Sequence, residues 1–550
     1  MLKSNPLPEE YTPALYSDYL AALPQARSFL GVHFSEPGIF AETADKVIAA
    51  YRGERRRLSA MLLDYNRALG CSEETQSQAE RLSDPRAVAV LAGQQAGLCG
   101  GPLYTVYKAL AAVKLARRLE TELSRPVVPV FWVASEDHDF SEANHFWMLD
   151  REDRLRRVDL ALPHRGEPVG KLVLPREVME QVVTSLGELA WESEFSGDVL
   201  ALLSETGALS ATPADWFARL LARLFAAEGL VFFDPLLPQA REMLSPFFSE
   251  TLAQQDEIRG ALLTREAALQ ASGYPIQVER EEGASLLMWM GERRSALYFR
   301  KGNFATRDAA VSFSAAELQE LAAASPESLS PNVLLRPLAQ DRLFPTVAYI
   351  PGPGELAYFA QLLPLYAIFG QQPPVLMPRP GLTVVEPRLS RYIKRYGITE
   401  NSLLSDVEGY LQQALSRQSG VDLDALFVRL RRQLQQEYAD LGGALGHLDS
   451  SLVGLAEKNL QHVYAEIAYL QKAALEKERQ KGETVVRHFA SLKQSLLPRG
   501  LLQERVLSFF PFQCKYGPAF WHRLKEEFPE APGHYLFYFH ADVGGRHIGN

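Results

Sequence analysis

Residues 131–145 read Phe-Trp-Val-Ala-Ser-Glu-Asp-His-Asp-Phe-Ser-Glu-Ala-Asn-His, and the architecture of the chain can be inferred outward from them. The apolar run 127–133 is followed within three residues by four consecutive ionisable side chains, residues 136–139. A short continuous apolar run predicts a strand that is buried on both faces, as in a parallel sheet. Ligands of such sheets bind beyond the carboxyl ends of the strands, where these charged side chains are predicted to lie.

Four other runs share this character, and helical patterns follow several of them. The candidate strands are 88–91, 127–133, 230–233, 345–350 and 374–377, and the candidate helices are 103–119, 239–269 and 356–369. Buried strands that alternate with helices predict an α/β fold, a doubly wound parallel sheet with crossover helices. We expect two insertions, 150–229 and 270–330, the second with its own hairpin of strands at 284–290 and 296–299.

A long proline-free region follows the sheet. No proline lies between Pro387 and Pro498, although 34 prolines in 550 residues would place about seven there. Proline breaks helix interiors, and apolar residues recur in this region every three or four positions with heptad character. The pattern predicts a helical coiled-coil domain, 386–498, whose two antiparallel arms are separated by Gly442, Gly443 and Gly446. The core domain is predicted to span 1–385, and the aromatic tail, 499–550, to pack back onto it.

Composition limits the class of protein. The chain has 47% hydrophobic and 23% charged residues, which is typical of a folded globular protein. Its net charge of −10 argues against a nucleic-acid binder. The three cysteines are far apart and match neither a disulfide framework nor a zinc motif. The sequence shows no signal peptide and no apolar run of about 18 residues, so we expect a cytoplasmic protein without a membrane partner.

A glycine-rich turn follows the first candidate strand. Glycines between a strand and a helix let backbone amides approach a phosphate, and the helix N-terminus favours an anion. We therefore predict a phosphate or nucleotide site at Gly93, Gly97, Gly100 and Gly101. Substrate contacts are predicted for Gln94, Gln95 and Tyr104. The alternative is a tight strand–helix turn with no ligand.

The charged stretch that opens this section carries the catalytic prediction. A histidine beside carboxylates is suited to general acid–base chemistry. We predict catalytic roles for His138, Asp139 and His145, and substrate-binding roles for Glu136 and Asn144. A solvated loop is the alternative. We predict no tightly bound metal, because the spacing fits no standard zinc signature.

A third strand end, 349–358, contains a partial dinucleotide fingerprint, Gly352-x-Gly354-x-x-Ala357. It leaves open a nicotinamide-dependent oxidoreductase, although the acidic residue expected about 20 positions later is missing. We predict substrate contacts for Glu355 and Tyr358, with capping of the following helix as the alternative for Glu355. Arg336 lies in an apolar run and is predicted to meet either a substrate carboxylate or a structural partner.

Together these motifs resemble a known family. Gly-Gln-Gln-Ala-Gly-Leu at 93–98, Phe-Trp-Val-Ala-Ser-Glu-Asp-His-Asp-Phe at 131–140, Ser-Pro-Asn-Val at 330–333 and Pro-Gly-Glu-Leu-Ala-Tyr at 353–358 resemble bacillithiol synthase, the cysteine-adding ligase of bacillithiol biosynthesis. The likeness runs from about residue 10 into the tail, where Glu504-Arg-Val-Leu and Lys515-Tyr-Gly also match in order. Several long motifs in the same order make the resemblance specific.

The resemblance implies a Rossmann-like core with connecting-peptide insertions and a coiled coil that forms a homodimer. It also implies a reaction that joins L-cysteine to glucosaminyl malate through an amide bond. Condensing a free carboxylate with an amine requires activation, so we expect ATP or another nucleotide, with Mg²⁺, as cosubstrate. In this hypothesis Glu136 or Asp139 binds the cysteine ammonium group and Arg336 meets a malyl carboxylate. A non-catalytic coiled-coil assembly protein remains a further alternative.

Overall fold

The computed structural model describes residues 2–5, 7–8 and 11–540. It divides the chain into two compact units. The core unit contains the residues up to Val384 and those from Leu501 onward, and the helical unit is Val385–Gly500. The core unit thus includes both ends of the described chain.

The strands, numbered along the chain, are β1 (Leu2–Ser4), β2 (Val88–Gln95), β3 (Val127–Ala134), β4 (His145–Leu149), β5 (Leu155–Asp159), β6 (Val231–Phe233), β7 (Ala284–Met290), β8 (Arg294–Arg300), β9 (Asn303–Thr306), β10 (Ser312–Ser314), β11 (Leu329–Pro331), β12 (Thr346–Tyr349), β13 (Val375–Leu376), β14 (Gly381–Val385) and β15 (His534–Tyr538).

The α-helices are α1 (Ala14–Leu20), α2 (Pro24–Leu30), α3 (Ile39–Ala50), α4 (Arg55–Leu69), α5 (Glu73–Arg81), α6 (Leu103–Leu123), α7 (Phe140–Ala143), α8 (Arg176–Leu189), α9 (Ser196–Ala208), α10 (Pro213–Leu224), α11 (Pro238–Ala253), α12 (Gln255–Ala271), α13 (Ala315–Ala324), α14 (Arg336–Leu343), α15 (Pro353–Leu362), α16 (Leu365–Ile368), α17 (Pro387–Tyr396), α18 (Val407–Ser419), α19 (Leu423–Gly446), α20 (Ser451–Lys481), α21 (Glu483–Leu496), α22 (Gln503–Val506), α23 (Phe510–Tyr516) and α24 (Pro518–Glu527).

The central sheet is parallel and has the strand order β13-β12-β2-β3-β6 among the described residues. Each of its strands lies within or overlaps a run that the sequence marks as a strand, so the predicted parallel sheet is confirmed. The chain first builds outward from β2 to β3 and β6, then returns to place β12 on the other side of β2. Strand order therefore reverses between β2 and β12, and α/β sheets bind their ligands at such a reversal.

Both faces of this sheet are covered, which explains the continuous apolar runs. Along β2, Val88, Val90 and Ala92 pack into one hydrophobic core, whereas Ala89 and Leu91 pack into another on the opposite face. Successive side chains of a strand point to opposite faces, so a strand between two cores needs apolar residues at every position.

Smaller sheets surround the central one. The predicted hairpin in the second insertion is β7 and β8, within an antiparallel sheet of order β10-β9-β8-β7-β11. β4, directly before the first insertion, pairs with β5 inside it, and β1 pairs with β15 from the tail. The described part of the tail therefore belongs to the core unit.

Two predicted helices are each divided in the structure. The pattern at 239–269 forms α11 and α12, which meet at Gln254, and the pattern at 356–369 forms α15 and α16. The second division falls at Pro364, which directly precedes α16 and lacks the backbone N–H that a continuous helix needs.

The helical unit contains the predicted antiparallel pair, α19 and α20. Cross-helix hydrogen bonds join Tyr438 to Asn459 at 2.6 Å and Arg431 to Gln471 at 2.8 Å. The predicted break is wrong for Gly442 and Gly443, which lie inside α19, but Gly446 is the last residue of this helix and the turn 447–450 follows it. A glycine costs a helix interior only about 1 kcal/mol, which packing against a neighbouring helix offsets.

None of the helices formed by the described residues has the length and apolar character needed to cross a membrane. Cys71, Cys99 and Cys514 are buried and are not joined in disulfides.

Candidate active site

A cavity of about 540 Å³ opens at the carboxyl ends of β2, β3 and β12. We call it the sheet-edge cavity. Its walls come from the ends of these strands, the first turns of α6 and α15, and the loop after β3, and they include residues of the second insertion and the tail. The cavity thus lies at the reversal of strand order, the expected ligand position in this class of sheet.

Lys108 and Glu355 form a buried ion pair at the base of this cavity. The Lys108 side chain is 4% exposed, and its Nζ also donates to Gly93 O and Gln94 Oε1, both at 2.9 Å. Burial lowers the pKa of Lys108, while Glu355 opposes that shift. Burial raises the pKa of Glu355, but Lys108 and Arg336 outweigh it and hold this pKa below its ordinary value. The Glu355 carboxylate is therefore ionised at neutral pH and can pair with the Lys108 ammonium group.

The turn before α15 is shaped by Glu355 as well. Gly352 N donates to Glu355 Oε2 at 2.7 Å, so the carboxylate satisfies a free amide at the start of the helix. Pro353 occupies the first helical position, where its missing N–H costs nothing. The expected capping role of Glu355 is therefore present, together with its place in the cavity wall.

Arg336 lies beside the ion pair, on the first turn of α14. Its guanidinium group donates to the hydroxyls of Tyr349 and Tyr358, each at 3.0 Å. Tyr349 in turn donates to Glu355 Oε1 at 2.6 Å. The guanidinium carbon also lies 5.8 Å from the centre of the Trp132 ring. Within the described residues no carboxylate forms an ion pair with Arg336, so its positive charge is available to a ligand.

His138 and Asp137 form the opposite side of the cavity. His138 Nδ1 lies 3.7 Å from Asp137 Oδ1 and has no hydrogen-bond partner among the described residues. Burial, and then the charge of Arg294, lower the pKa of His138 against the opposing effect of Asp137 and Asp139. The imidazole is therefore neutral near pH 7 and can accept a proton. Gln95 Nε2 donates to Asp137 Oδ2 at 2.8 Å and orients this carboxylate.

Glu136 has a partner that its sequence context does not show. Its carboxylate pairs with Arg241 at 2.5 Å, and both side chains are almost fully buried. Arg241 also donates to Leu329 O at 3.0 Å. Glu136 is therefore less suited to bind the cysteine ammonium group, because Arg241 already balances its charge. Asp137 and Glu142, which line the same cavity, are the better candidates.

Several predicted site residues lie outside the lining of this cavity. Asp139 is exposed and accepts from Ser141 Oγ at 2.5 Å, and His145 begins β4 with its Nδ1 3.1 Å from Asn144 Oδ1. Tyr358 lies behind Arg336. The predicted residues that the structure does bring together in the lining are Gly93, Gln94, Gln95, Tyr104, Glu136, His138, Arg336 and Glu355.

Three of the four predicted phosphate-binding glycines lie in a tight turn, and one of them, Gly100, packs against the tail. A Cβ on Gly100 would lie 3.2 Å from the Phe510 ring, and Gly97 and Gly101 approach each other closely. The first amide of α6, Leu103 N, already donates to Leu507 O at 2.8 Å. A phosphate at this helix start would have to displace that hydrogen bond. The structure therefore supports the tight-turn interpretation for these three and leaves Gly93 in the cavity wall.

The structure adds site residues that sequence reasoning missed, namely Lys108, Asp137, Glu142, Arg294, Asn332, Arg379 and Arg505. Lys108 had a usable signal, because it is a charged residue inside the apolar stretch that forms α6. Arg379 is buried and pairs with Glu504 of the tail at 2.5 Å. In the described part of the chain, no group of three or more His, Cys, Asp or Glu side chains is arranged to hold a metal ion.

Comparison with known proteins covers nearly the whole chain. A family model described as "Bacillithiol biosynthesis BshC, N-terminal Rossmann-like domain" matches residues 2–380. A second, described as "Bacillithiol biosynthesis BshC, C-terminal coiled-coil domain", matches residues 382–539. The central sheet and the α19–α20 pair are the structural counterparts of these two descriptions.

Curated relatives carry one shared name, "Putative cysteine ligase BshC". That of Desulforamulus reducens is 30% identical over 520 residues, which is 93% of this chain and 95% of the relative. That of Symbiobacterium thermophilum is 35% identical and covers 88% of this chain and 89% of its own length. That of Heliobacterium modesticaldum is 34% identical, with 92% and 93% covered. A solved structure titled as a putative arginyl-tRNA synthetase of Campylobacter jejuni is 11% identical and covers 82% of this chain and 100% of its own, but its TM-score of 0.22 supports no argument.

Proposed function

The chain belongs to the bacillithiol biosynthesis BshC family, and on that premise we propose that it joins L-cysteine to glucosaminyl malate through an amide bond. Its relatives are named as cysteine ligases. A cavity at the reversal of strand order, with several charged side chains in its wall, supports a reaction between small charged substrates.

The chemistry requires an activated carboxyl group. In our proposal the cysteine carboxylate attacks a phosphorus atom of ATP, which gives either an adenylate and pyrophosphate or an acyl phosphate and ADP. The glucosamine amine then attacks the cysteinyl carbonyl carbon, loses a proton, and releases AMP or phosphate. Mg²⁺ would arrive with the nucleotide, because this ion is commonly held by phosphates and one or two carboxylates.

Charges in the cavity match these steps. Arg336 and Arg294 have no carboxylate partner among the described residues and would attract the cysteine carboxylate and the phosphate oxygens. Asp137 and Glu142 would hold the cysteine ammonium group. His138, neutral near pH 7, would take the proton that the attacking amine loses.

The observation that carries the proposal is the position of His138. It faces the same cavity as the buried Lys108–Glu355 pair, at the strand reversal of a chain that matches the family along nearly all its length. Family membership supports the ligase, and the cavity suggests where the reaction occurs.

A mass-spectrometric assay tests the proposal directly. Purified protein is incubated with cysteine and glucosaminyl malate, with and without ATP and Mg²⁺, and the mixture is searched for bacillithiol, AMP and ADP. The proposal expects bacillithiol only in the complete mixture, with one of the two nucleotides formed in equal amount. His138→Ala should lose turnover, whereas the control His522→Ala, at an exposed position outside the cavity, should not. Absence of bacillithiol from every mixture would refute the proposed reaction.

We also propose that the α19–α20 pair joins two copies of the chain. Large apolar side chains remain exposed on it, among them Leu448 at 79%, Leu455 at 61% and Leu470 at 59%. Helices with a sustained apolar stripe bury it against another helix when a partner is available. A homodimer through this surface would cover these side chains.

A further inference from the structure

A second cavity, of about 440 Å³, lies beside the sheet-edge cavity. Its walls come from the N-terminal segment with α1, and from the tail with α22 and β15. Three residues, Pro353, Arg379 and Arg505, line both cavities. We call these three the shared wall. A molecule that lies against the shared wall is therefore within reach of both spaces.

The shared wall carries a positive charge that the protein does not balance. Arg379 is buried and paired with Glu504, although its Nε has no hydrogen-bond partner in the described part of the chain. Arg505 is exposed, and among the described residues it has no carboxylate within ion-pair distance. One arginine of the shared wall is thus neutralised and the other is free to meet an anion.

The interior of the second cavity is polar, but it adds no further positive charge to that of the shared wall. His534 lines it and is 5% exposed, and its Nδ1 has no partner among the described residues. Burial lowers the pKa of His534 to about 4, so its ring is neutral at physiological pH. Tyr16 and Ser17 of α1 add hydroxyl groups. These hydroxyl groups can form hydrogen bonds with a hydroxylated ligand.

We propose that the acid end of the amine acceptor binds at the shared wall, with its carboxylates on Arg505 and its body extending into the second cavity. This inference rests on the proposed function, because it takes glucosaminyl malate as the acceptor. It moves the malyl contact from Arg336, where the sequence predicts it, to Arg505. Arg336 lines only the sheet-edge cavity, so in this proposal it binds the cysteine carboxylate.

Calorimetric binding of glucosaminyl malate to the full chain, without ATP or cysteine, tests this placement. Arg505→Gln removes the free charge, and Ser17→Trp fills the second cavity from an exposed position that does not line the first. Each change should raise Kd about 10-fold or more, as expected when a charged hydrogen bond or its site is lost. The matched controls Arg56→Gln and Ser28→Trp, at exposed positions outside both cavities, should leave Kd within twofold.

A second binding experiment tests the contribution of the acceptor's carboxylate charges separately from that of the rest of the molecule. The dimethyl ester of glucosaminyl malate should bind the unmodified protein about as weakly as the natural acceptor binds Arg505→Gln, and it should bind the two proteins equally. Kd values for the acceptor that are unchanged in both variants would overturn the proposal, as would absence of acceptor binding to the unmodified protein. The binding experiment needs no turnover, so its result does not depend on whether the ligase reaction occurs. If the protein is an active ligase but both variants bind the acceptor with an unchanged Kd, the placement at the shared wall is refuted and the proposed reaction is not.

Discussion

Replacing Lys108 by Met should strongly destabilise the core unit. Lys108 is buried and Glu355 is 20% exposed, and removal of Lys108 leaves the Glu355 carboxylate without its direct ion-pair partner. Breaking a buried ion pair in this way costs about 3–5 kcal/mol. The change also removes the donor to Gly93 O and Gln94 Oε1. We therefore expect the free energy of unfolding of Lys108→Met to fall by about 3–5 kcal/mol at pH 7.5.

Urea unfolding followed by tryptophan fluorescence measures this loss selectively. All six tryptophans of the chain lie in the core unit, so their signal does not report the helical unit. Glu355→Gln removes the charge and keeps one acceptor oxygen, which can serve either Gly352 N or the Tyr349 hydroxyl. In Lys108→Met/Glu355→Gln no buried carboxylate is left alone, so the double variant should recover about 2 kcal/mol relative to Lys108→Met.

The pH dependence gives an independent check. In the unmodified protein the pKa of Glu355 is below its unfolded value, so its stabilising contribution is present above that value and is lost as pH falls through the folded pKa. Without Lys108 the largest effect that opposes burial is lost, so the pKa of Glu355 should rise relative to the unmodified protein, and proton uptake then favours the folded variant more as pH falls. The deficit of Lys108→Met should therefore shrink between pH 7.5 and pH 5. A loss below about 1 kcal/mol at pH 7.5, with no pH dependence, would refute the reasoning.

Three other outcomes are expected. His138→Gln should lower turnover about 100-fold with folding retained. Because burial lowers the pKa of His138, the activity of the unmodified enzyme should persist as pH falls to 6.5 and decline only below that pH. Glu504→Gln should destabilise the core unit by about 3 kcal/mol in urea unfolding, since it leaves Arg379 buried without its partner. Leu455→Glu with Leu470→Glu should convert a dimer into a folded monomer in light scattering, whereas an unchanged mass would exclude this surface.

The strands and the helical region could be predicted because their signals are local. Buried strands such as β2 and β3 are continuous apolar runs, since each lies between two cores and every position faces one of them. The positions of Gln94, at the end of β2, and of His138, in the loop after β3, follow from the same pattern. Residue type alone did not show which glycine ends the first long helix, because Gly442 and Gly443 continue α19 and Gly446 ends it.

The sequence by itself determined the parallel sheet, the long helices and the strand ends where charged side chains collect. Tertiary structure alone decided which charges meet. Lys108 pairs with Glu355, which lies 247 positions later, Glu136 is neutralised by Arg241, and Gly100 of the first turn packs against Phe510. Periodicity reports which face of an element is buried, because that depends on neighbours in the chain. The partner of a buried charge depends on which crossover brings a distant element beside it, and no local pattern records that choice.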